Sequence, residues 1–208
     1  GDLVHGHDSL QQQVLGYLQT KVSASLSFVP GPLHRLDRNT SGIIVFGKSL
    51  AGAQRFSMML KNNGCLKNYV SLLDGIIDAP VIWEDLLVRD RKKKTTKKSK
   101  EGKRAVTKVL PIATEKNCSL CLFTIQTGLS HQIRAQASIH GFPLKGDVKY
   151  GGSSLHGSYI LHAAQLGICK DDPILGFEVI RAPLFERQRR ILQRHFPDGP
   201  YRLRRRRL

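Results

Sequence analysis

The 208-residue sequence predicts an α+β domain with a mixed, mostly antiparallel central sheet and flanking helices. Segments that read as strands outnumber those that read as helices, and several consecutive strands are separated only by short turns, as in hairpins. A chain of this length can bury one substantial core, and its 40% of apolar residues is typical of a folded protein. These observations favour one compact domain of the α+β class.

Four helices are predicted from capping residues and from apolar residues at helical spacing. They cover residues 8–20, 49–61, 130–140 and 183–194. The residues expected at their amino ends are Asp8, Ser49, Ser130 and Pro183. Gly64 and Gly141 are expected to end the second and third helices, because glycine readily adopts the left-handed conformation found there.

Short apolar runs predict strands between these helices. The predicted strands are residues 43–46, 65–76, 82–89, 105–113 and 118–126, and further apolar runs lie at 159–168 and 174–182. Residues 21–33 and 141–158 are expected to be loops. The basic stretch 90–104 has no apolar anchor, so we expect a mobile loop or hairpin tip there.

The net charge of +17 is concentrated in two segments. Residues 89–108 carry eleven Lys or Arg and two acidic residues, and residues 186–208 carry nine Arg and two acidic residues. The rest of the chain is nearly neutral. Clustered cations of this kind are typical of a polyanion binder, and nucleic acid is the polyanion that fits best. A membrane surface fits less well, because neither segment has a long apolar face.

The predicted organisation is one domain over residues 1–185, which includes a basic loop at 89–108. Residues 186–208 are expected to form the end of the last helix and an Arg-rich tail. No run of about 18 apolar residues predicts a membrane span. We expect a monomer located in the cytoplasm.

Four cysteines do not predict a disulfide framework in a chain of this length, and reduced thiols fit better. Cys118 and Cys121 form a C-x-x-C pattern, which can indicate zinc. However, they lie in a predicted strand, where residues three apart point to opposite faces of the sheet. The sequence therefore predicts no metal site.

A polar cluster at residues 34–42 precedes the apolar run at Ile43, and it places Asp37 between Arg35 and Arg38. The flanking arginines favour the ionised carboxylate. Taken alone, this cluster is more typical of a salt-bridged turn than of an active site, because structural ion pairs are common.

Further motifs follow this cluster along the chain. They are Lys-Asn-Tyr at 67–69, Thr-Gly-Leu-Ser-His-Gln-Ile-Arg at 127–134, Gly-Asp with Tyr-Gly at 146–151, and Leu-His-Ala at 161–163. Together with Leu-Val-His-Gly at 3–6 and His-Arg-Leu-Asp at 34–37, they resemble the motifs of the RluA-like pseudouridine synthase family, in that family's order. The resemblance covers nearly all of residues 3–185 and implies the pseudouridine synthase fold.

The resemblance also implies roles for single residues. Asp37 corresponds to the catalytic aspartate and Arg134 to the arginine that pairs with it. Tyr69 corresponds to the tyrosine that stacks on the target base. Arg35 is similar to the arginine that fills the gap left by the flipped base. The other residues expected to contact RNA are His34, Arg38, Thr40, His131 and Gln132.

Several of these residues have plausible structural roles instead. We expect His131 to bond near its helix start, and His162 to be a core histidine with satisfied ring nitrogens. For Asp147, a turn in which its side chain bonds its own backbone is favoured over catalysis. Leu129 stands where the family usually has arginine, which removes one charge near the expected site.

Isomerisation of uridine breaks the N1–C1′ bond and joins C5 to C1′, so no redox cofactor, nucleotide or metal is required. The implied activity is an RNA pseudouridine synthase, with large-subunit ribosomal RNA favoured over tRNA as its substrate. The alternatives are an RNA-binding or ribosome-assembly factor without catalysis, and a metal-dependent nuclease built on the histidines. Many relatives carry an upstream S4-type RNA-binding domain, and no segment of this sequence is expected to form one.

Overall fold

The computed structural model describes residues 9–19, 28–168 and 172–199. Its elements in chain order are α1 (Leu10–Leu18), β1 (Gly31–Pro32), β2 (Ser41–Gly42), β3 (Phe46–Gly47), α2 (Leu50–Lys61), β4 (Leu66–Asp74), β5 (Val81–Asp90), β6 (Thr95–Lys98), β7 (Lys103–Glu115), β8 (Cys118–Ile125), α3 (Gln132–Ile139), a 3₁₀ turn (Val148–Tyr150), β9 (Leu161–Gly167), β10 (Val179–Arg181) and α4 (Glu186–His195). The predicted α+β class with a mostly antiparallel sheet is confirmed.

The chain divides into two compact units. The small unit comprises Gly1–Arg35, Ile44–Cys65 and Ile168–Glu178, and the large unit comprises Leu36–Ile43, Leu66–Gly167 and Val179–Leu208. This division was not predicted from the sequence, because each unit is made of three separated segments. The Arg-rich stretch at 201–208, the motif at 3–6 and Cys169 lie outside the described residues.

In the small unit, α1 begins after Ser9, whose hydroxyl accepts a hydrogen bond from the backbone N–H of Gln12. The predicted cap at Asp8 lies outside the described residues. Helix α2 begins after Ser49 as predicted. Its end differs from the prediction, because Asn63 adopts the left-handed conformation that was expected of Gly64. Asparagine tolerates this conformation better than most residues.

The predicted strand at 43–46 is wrong. Ser41–Gly42 and Phe46–Gly47 form separate two-residue strands, and residues 43–45 between them are not in a strand. Strand β3 pairs with β1 in the small unit, whereas β2 pairs with β9 in the large unit. An apolar run alone does not show that its two ends pair with different partners.

The large unit is built on a sheet with the strand order β10-β9-β4-β8-β7-β5-β6. Neighbouring strands along this path are antiparallel, and β2 adds a parallel pairing with β9. The tight turn from β7 to β8 passes through Lys116 in the left-handed conformation, between the strands predicted at 105–113 and 118–126.

Side chains alternate between two apolar cores on the two faces of this sheet. One core contains Leu73, Trp83 and Phe123, with Ile133 from α3. The other contains Leu72 and Leu120, with Leu192 and Phe196 from the α4 region. Helices α3 and α4 therefore cover opposite faces of the sheet.

The C-x-x-C pair is divided between these two cores. Cys121 belongs to the α3-side core and Cys118 to the α4-side core. Cys65, Cys118 and Cys121 are buried free thiols. Across the described ranges, no three His, Cys, Asp or Glu side chains are grouped as a metal site would require. Helices within those ranges also lack the length and apolar character needed to cross a membrane.

The basic segment forms a hairpin that is held by polar contacts. Part of the stretch predicted as a loop or hairpin tip is strand β6, which pairs with β5. Thr96 in β6 is 6% exposed, and its backbone N–H donates to the Tyr150 hydroxyl at 2.7 Å. Its side-chain hydroxyl donates to the carbonyl of Ser130 at 2.7 Å. The hairpin that the sequence offered as one alternative is present, with its turn at residues 91–94. Hydrogen bonds, rather than apolar contacts, anchor it.

Candidate active site

The segment that carries Asp37 is fixed at one end by strand pairing. Gly42 pairs with Ala163 of β9, and the Ile43 N–H donates to the Ala163 carbonyl at 3.0 Å. Gly42 has a φ of 110°, and a Cβ atom there would overlap the Ala163 backbone. Glycine is therefore required at position 42, where the loop meets the sheet. At the other end of the segment, the Thr40 N–H donates to the Asp37 carbonyl at 2.8 Å and closes a turn.

His162 supports the same pairing from inside the core. It is 1% exposed, with Nδ1 at 2.8 Å from the Ser41 hydroxyl and Nε2 at 3.0 Å from the Ala182 carbonyl. Burial lowers its pKa, although the bond to Ala182 opposes this shift. The prediction of a core histidine with satisfied ring nitrogens is confirmed.

The Asp37 carboxylate faces two nitrogen-bearing side chains from the start of α3. Arg134 Nη1 lies 3.5 Å from Asp37 Oδ2, and His131 Nε2 lies 3.9 Å from Oδ1. One nitrogen thus approaches each oxygen, and both distances exceed those of ordinary hydrogen bonds.

Arg134 has a closer partner in Asp147. Its Nε and Nη2 donate to the two carboxylate oxygens of Asp147 at 2.6 and 2.9 Å. Arg134 is 6% and Asp147 2% exposed, so this is a buried bidentate pair. The expectation that the Asp147 side chain bonds its own backbone is therefore wrong. Its backbone carbonyl does form the turn, by accepting from the Tyr150 N–H at 2.9 Å.

Two tyrosine rings pack on the same guanidinium. Arg134 Cζ lies 4.8 Å from the ring centroid of Tyr150 and 4.7 Å from that of Tyr159. Burial alone would lower the pKa of Arg134, but the hydrogen bonds to Asp147 and the charges of nearby groups, including Asp37, raise it. The guanidinium is consequently a fixed positive charge beside Asp37.

Tyr69 lies near the same carboxylate. It follows an irregularity in the pairing of β4 with β9, and its ring packs against the α3-side core. Burial, followed by the negative charge of Asp37, raises the pKa of Tyr69 to about 12. The phenol therefore keeps its proton at neutral pH. Asp37, Tyr69 and Arg134 all belong to the large unit, which brings them into one site.

The residues expected to contact RNA have different surroundings. Arg35, in the small unit, and Arg38, in the large unit, are exposed, and Thr40 is half-buried. His34 is half-buried in the small unit, where its Nε2 accepts from the Val45 N–H at 3.0 Å. This bond gives His34 a role inside the small unit.

Gln132 is an internal support, contrary to the expectation that it contacts RNA. It is 3% exposed, and its oxygen accepts from the Thr127 hydroxyl at 2.8 Å and from the Leu129 N–H at 3.1 Å. Its nitrogen donates to the Val106 carbonyl and to the Thr107 hydroxyl. These bonds hold the start of α3 on β7.

The start of α3 also differs from the prediction. His131, rather than Ser130, occupies the N-cap position, with left-handed backbone angles of φ 56° and ψ 22°. Its Nδ1 lies 2.8 Å from the Tyr150 hydroxyl. This contact near the helix start agrees with the expected bonding of His131. Gly141 ends the helix in the left-handed conformation, as predicted.

Leu129 occupies an apolar environment. It packs against a cluster of Leu87, Ala105, Ala135 and Tyr150. This packing accounts for leucine at a position where the family that the sequence resembles usually has arginine.

The sequence motif at 146–151 contained both Asp147 and Tyr150. Only the contacts of Asp147 with Arg134 and of Tyr150 with His131 show that these two residues are parts of the site.

Comparison with solved structures first defines the fold. The chain resembles human RNA pseudouridylate synthase domain containing 4, with a TM-score of 0.73, 20% identity, and coverage of 92% of this chain and 85% of that one. It also resembles human RNA pseudouridylate synthase domain containing 1, with a TM-score of 0.62, 23% identity, and coverage of 83% and 82%. The fold is that of the pseudouridylate synthases.

The family follows from the sequence. A family model described as RNA pseudouridylate synthase matches residues 1–138, and the chain belongs to that family. It is 31% identical over 180 residues to the uncharacterized RNA pseudouridine synthase YlyB of Bacillus subtilis, covering 82% of this chain and 57% of that protein. It is 32% identical over 166 residues to ribosomal large subunit pseudouridine synthase D of Zymomonas mobilis, covering 72% and 51%. The chain thus spans about half the length of these relatives.

Proposed function

We propose that this protein isomerises specific uridines in structured RNA to pseudouridine. The observation that carries the proposal is the approach of Arg134 Nη1 to within 3.5 Å of the Asp37 carboxylate, in a site that also holds Tyr69. The reaction needs a carboxylate beside the sugar, a cation next to that carboxylate, and a flat surface for the detached uracil. These three side chains supply those groups.

The chemistry assigns a step to each residue. The target uridine leaves its stack and enters the site, as is usual for enzymes that act on bases. Asp37 either attacks C1′ and displaces N1 of the uracil, or removes a sugar proton as N1 leaves, so that the N1–C1′ bond breaks. The uracil turns over against the Tyr69 ring and C5 bonds to C1′, which breaks the Asp37–C1′ bond or, on the other route, is accompanied by return of the proton to the sugar. C5 then loses its proton and N1 gains one, so the composition of the nucleotide is unchanged. Arg134 places a positive charge beside Asp37. The family resemblance implies that Arg35 fills the space that the flipped base leaves in the RNA.

Exposed cations next to the site support RNA as the substrate. Arg89 on β5 pairs across the strands with Thr96, and Thr96 bonds Tyr150. Lys149 adjoins Tyr150 in the 3₁₀ turn. Arg89 and Lys149 are exposed, and their charges act on His131 beside Asp37. Phosphates that flank the flipped nucleotide would meet these two side chains, together with Arg38.

Large-subunit ribosomal RNA is the proposed target. Ribosomal large subunit pseudouridine synthase D appears among the relatives from several bacteria. A relative from Vibrio cholerae that is 37% identical over 134 residues is a tRNA pseudouridine synthase C, which makes tRNA the second choice.

The cytoplasm is the proposed location. Buried free thiols fit a protein that acts in this reducing compartment.

Tritium release tests the activity and the role of Asp37 together. RNA labelled at C5 of uridine should lose its label to water with the wild-type protein and keep it with Asp37→Asn. Asp78→Asn is the matched control, because Asp78 is an exposed carboxylate of the same unit. Equal release by wild type and Asp37→Asn would contradict the assignment. RNA binding without release by the wild-type protein would favour the non-catalytic alternative.

A further inference from the structure

His131 connects the basic hairpin to the catalytic carboxylate. Its side chain is 14% exposed, and its Nε2 faces Asp37 Oδ1 at 3.9 Å. Its ring meets the Tyr150 ring edge-on, with centroids 5.6 Å apart and planes at 72°. His131 occupies the N-cap position of α3 with a left-handed backbone. A strained conformation at such a position indicates a functional constraint.

The Tyr150 hydroxyl contacts the other ring nitrogen. This hydroxyl accepts a hydrogen bond from the Thr96 backbone N–H at 2.7 Å. Its own hydrogen is available to donate to His131 Nδ1, which lies 2.8 Å away. A neutral imidazole that accepts at Nδ1 carries its hydrogen on Nε2, the nitrogen that faces Asp37.

The surroundings also favour a neutral ring. Burial lowers the pKa of His131 to about 4; the charge of Asp37 opposes this shift, whereas those of Arg134, Arg89 and Lys149 add to it. The groups that face the ring therefore include one carboxylate, three cations and the Tyr150 hydroxyl. A carboxylate only accepts hydrogen bonds, so an Nε2–H group is the arrangement that suits Asp37.

We propose that His131 is a positioning residue for Asp37, acting as a neutral Nε2–H donor that Tyr150 holds in place and that the basic hairpin orients through Thr96. This inference rests on the proposed function, because it concerns the carboxylate that reacts. Arg134 and His131 then donate to different carboxylate oxygens of Asp37. Two donors on two oxygens restrict rotation of the carboxyl group in a way that one donor does not.

The same contacts join the basic hairpin to the site. The Thr96 N–H belongs to the hairpin that carries the basic segment, so phosphate contacts that shift this hairpin would reach His131 through Tyr150. The distances of 3.5 and 3.9 Å to Asp37 leave room for both donors to move closer. Catalytic hydrogen bonds are often long without substrate and shorten when it binds.

Nitrogen NMR of the full chain labelled at histidine tests the protonation state without relying on activity. We expect His131, assigned by loss of its signals in His131→Asn, to show the neutral Nε2–H form from pH 5.5 to 8. Tyr150→Phe keeps the ring but removes the hydroxyl, and should produce a mixture of the two neutral forms. An Nδ1–H form in the wild type, an imidazolium that titrates near 6.5, or an unchanged spectrum in Tyr150→Phe would overturn the proposal.

Single-turnover kinetics test the effect on Asp37. Asparagine tolerates the left-handed backbone but does not reach Asp37, whereas the amide nitrogen of glutamine reaches about as far as Nε2. We expect His131→Asn to reduce the rate constant about 100-fold while the RNA dissociation constant stays the same. His131→Gln should recover part of this loss.

The outcomes separate the inference from the proposed function. A wild-type protein that forms no pseudouridine contradicts the function, and the NMR result still reports on the geometry. An active wild type with an equally active His131→Asn overturns the inference alone. Weaker RNA binding by His131→Asn with an unchanged rate constant also overturns it, because that result describes a substrate contact.

Discussion

Arg134 binds Asp147 more closely than it approaches Asp37. Its hydrogen bonds to Asp147 are 2.6 and 2.9 Å long, whereas its nearest contact to Asp37 is 3.5 Å. The buried pair thus fixes the guanidinium through a carboxylate that takes no part in the proposed reaction. Asp37 experiences the positive charge but stays free to react with the sugar, which a tight bidentate bond would hinder.

Asp147→Asn should destabilise the large unit and slow the reaction. The substitution leaves the Arg134 charge buried with reduced compensation, which costs about 3 kcal/mol when a buried pair is broken. Urea denaturation measures this loss. Glu84→Gln breaks the exposed pair of Glu84 with Arg104, and is expected to have little effect. Equal stability of the two variants would show that the pair does not stabilise the fold.

Gly42→Ala should displace the Asp37 segment from the sheet. A Cβ atom at Gly42 overlaps the Ala163 backbone, so the pairing of β2 with β9 must open. We expect tritium release to fall at least about 10-fold, since small displacements of a reacting group are costly. Gly128→Ala is the control, because a Cβ atom there meets nothing within 4 Å. Full activity in Gly42→Ala would mean that this pairing does not position Asp37.

Leu129→Arg should lower stability, although it restores the residue usual in the family. The guanidinium would enter a cluster of Leu87, Ala105 and Ala135, at a cost of about 1–3 kcal/mol for a polar group without a partner. Thermal or urea unfolding measures the change. Leu110→Arg serves as a control, because Leu110 is 47% exposed. A stabilised Leu129→Arg variant would indicate a carboxylate partner within reach.

The acid stability of the protein should depend on His131. In the unfolded chain its imidazole takes up a proton near pH 6.5, whereas burial in the folded protein lowers its pKa to about 4. The unfolded state therefore binds more protons in this interval, and the free energy of unfolding falls as the pH drops from 6.5 towards 4. Urea denaturation at several pH values should show a smaller fall for His131→Asn. Identical pH dependence of the two proteins would contradict the buried neutral ring.

Local patterns in the sequence determined much of the fold. The alternation along β8 divided Cys118 from Cys121, and the Ser49 cap located the start of α2. Ordered motifs also identified the residues that meet in the site. The alternation and the helix cap depend on backbone periods of two or 3.6 residues and on capping groups near in sequence. They can therefore be predicted without knowledge of long-range contacts.

Tertiary structure alone decided how the site residues are partnered. Arg134 takes Asp147 as its bidentate partner, and Thr96, in a stretch without an apolar anchor, bonds Tyr150, 54 positions away. His131 thereby receives a defined orientation towards Asp37. Hydrogen-bond partners depend on distances of about 3 Å between groups far apart in sequence, and the packing of the sheet with α3 sets those distances.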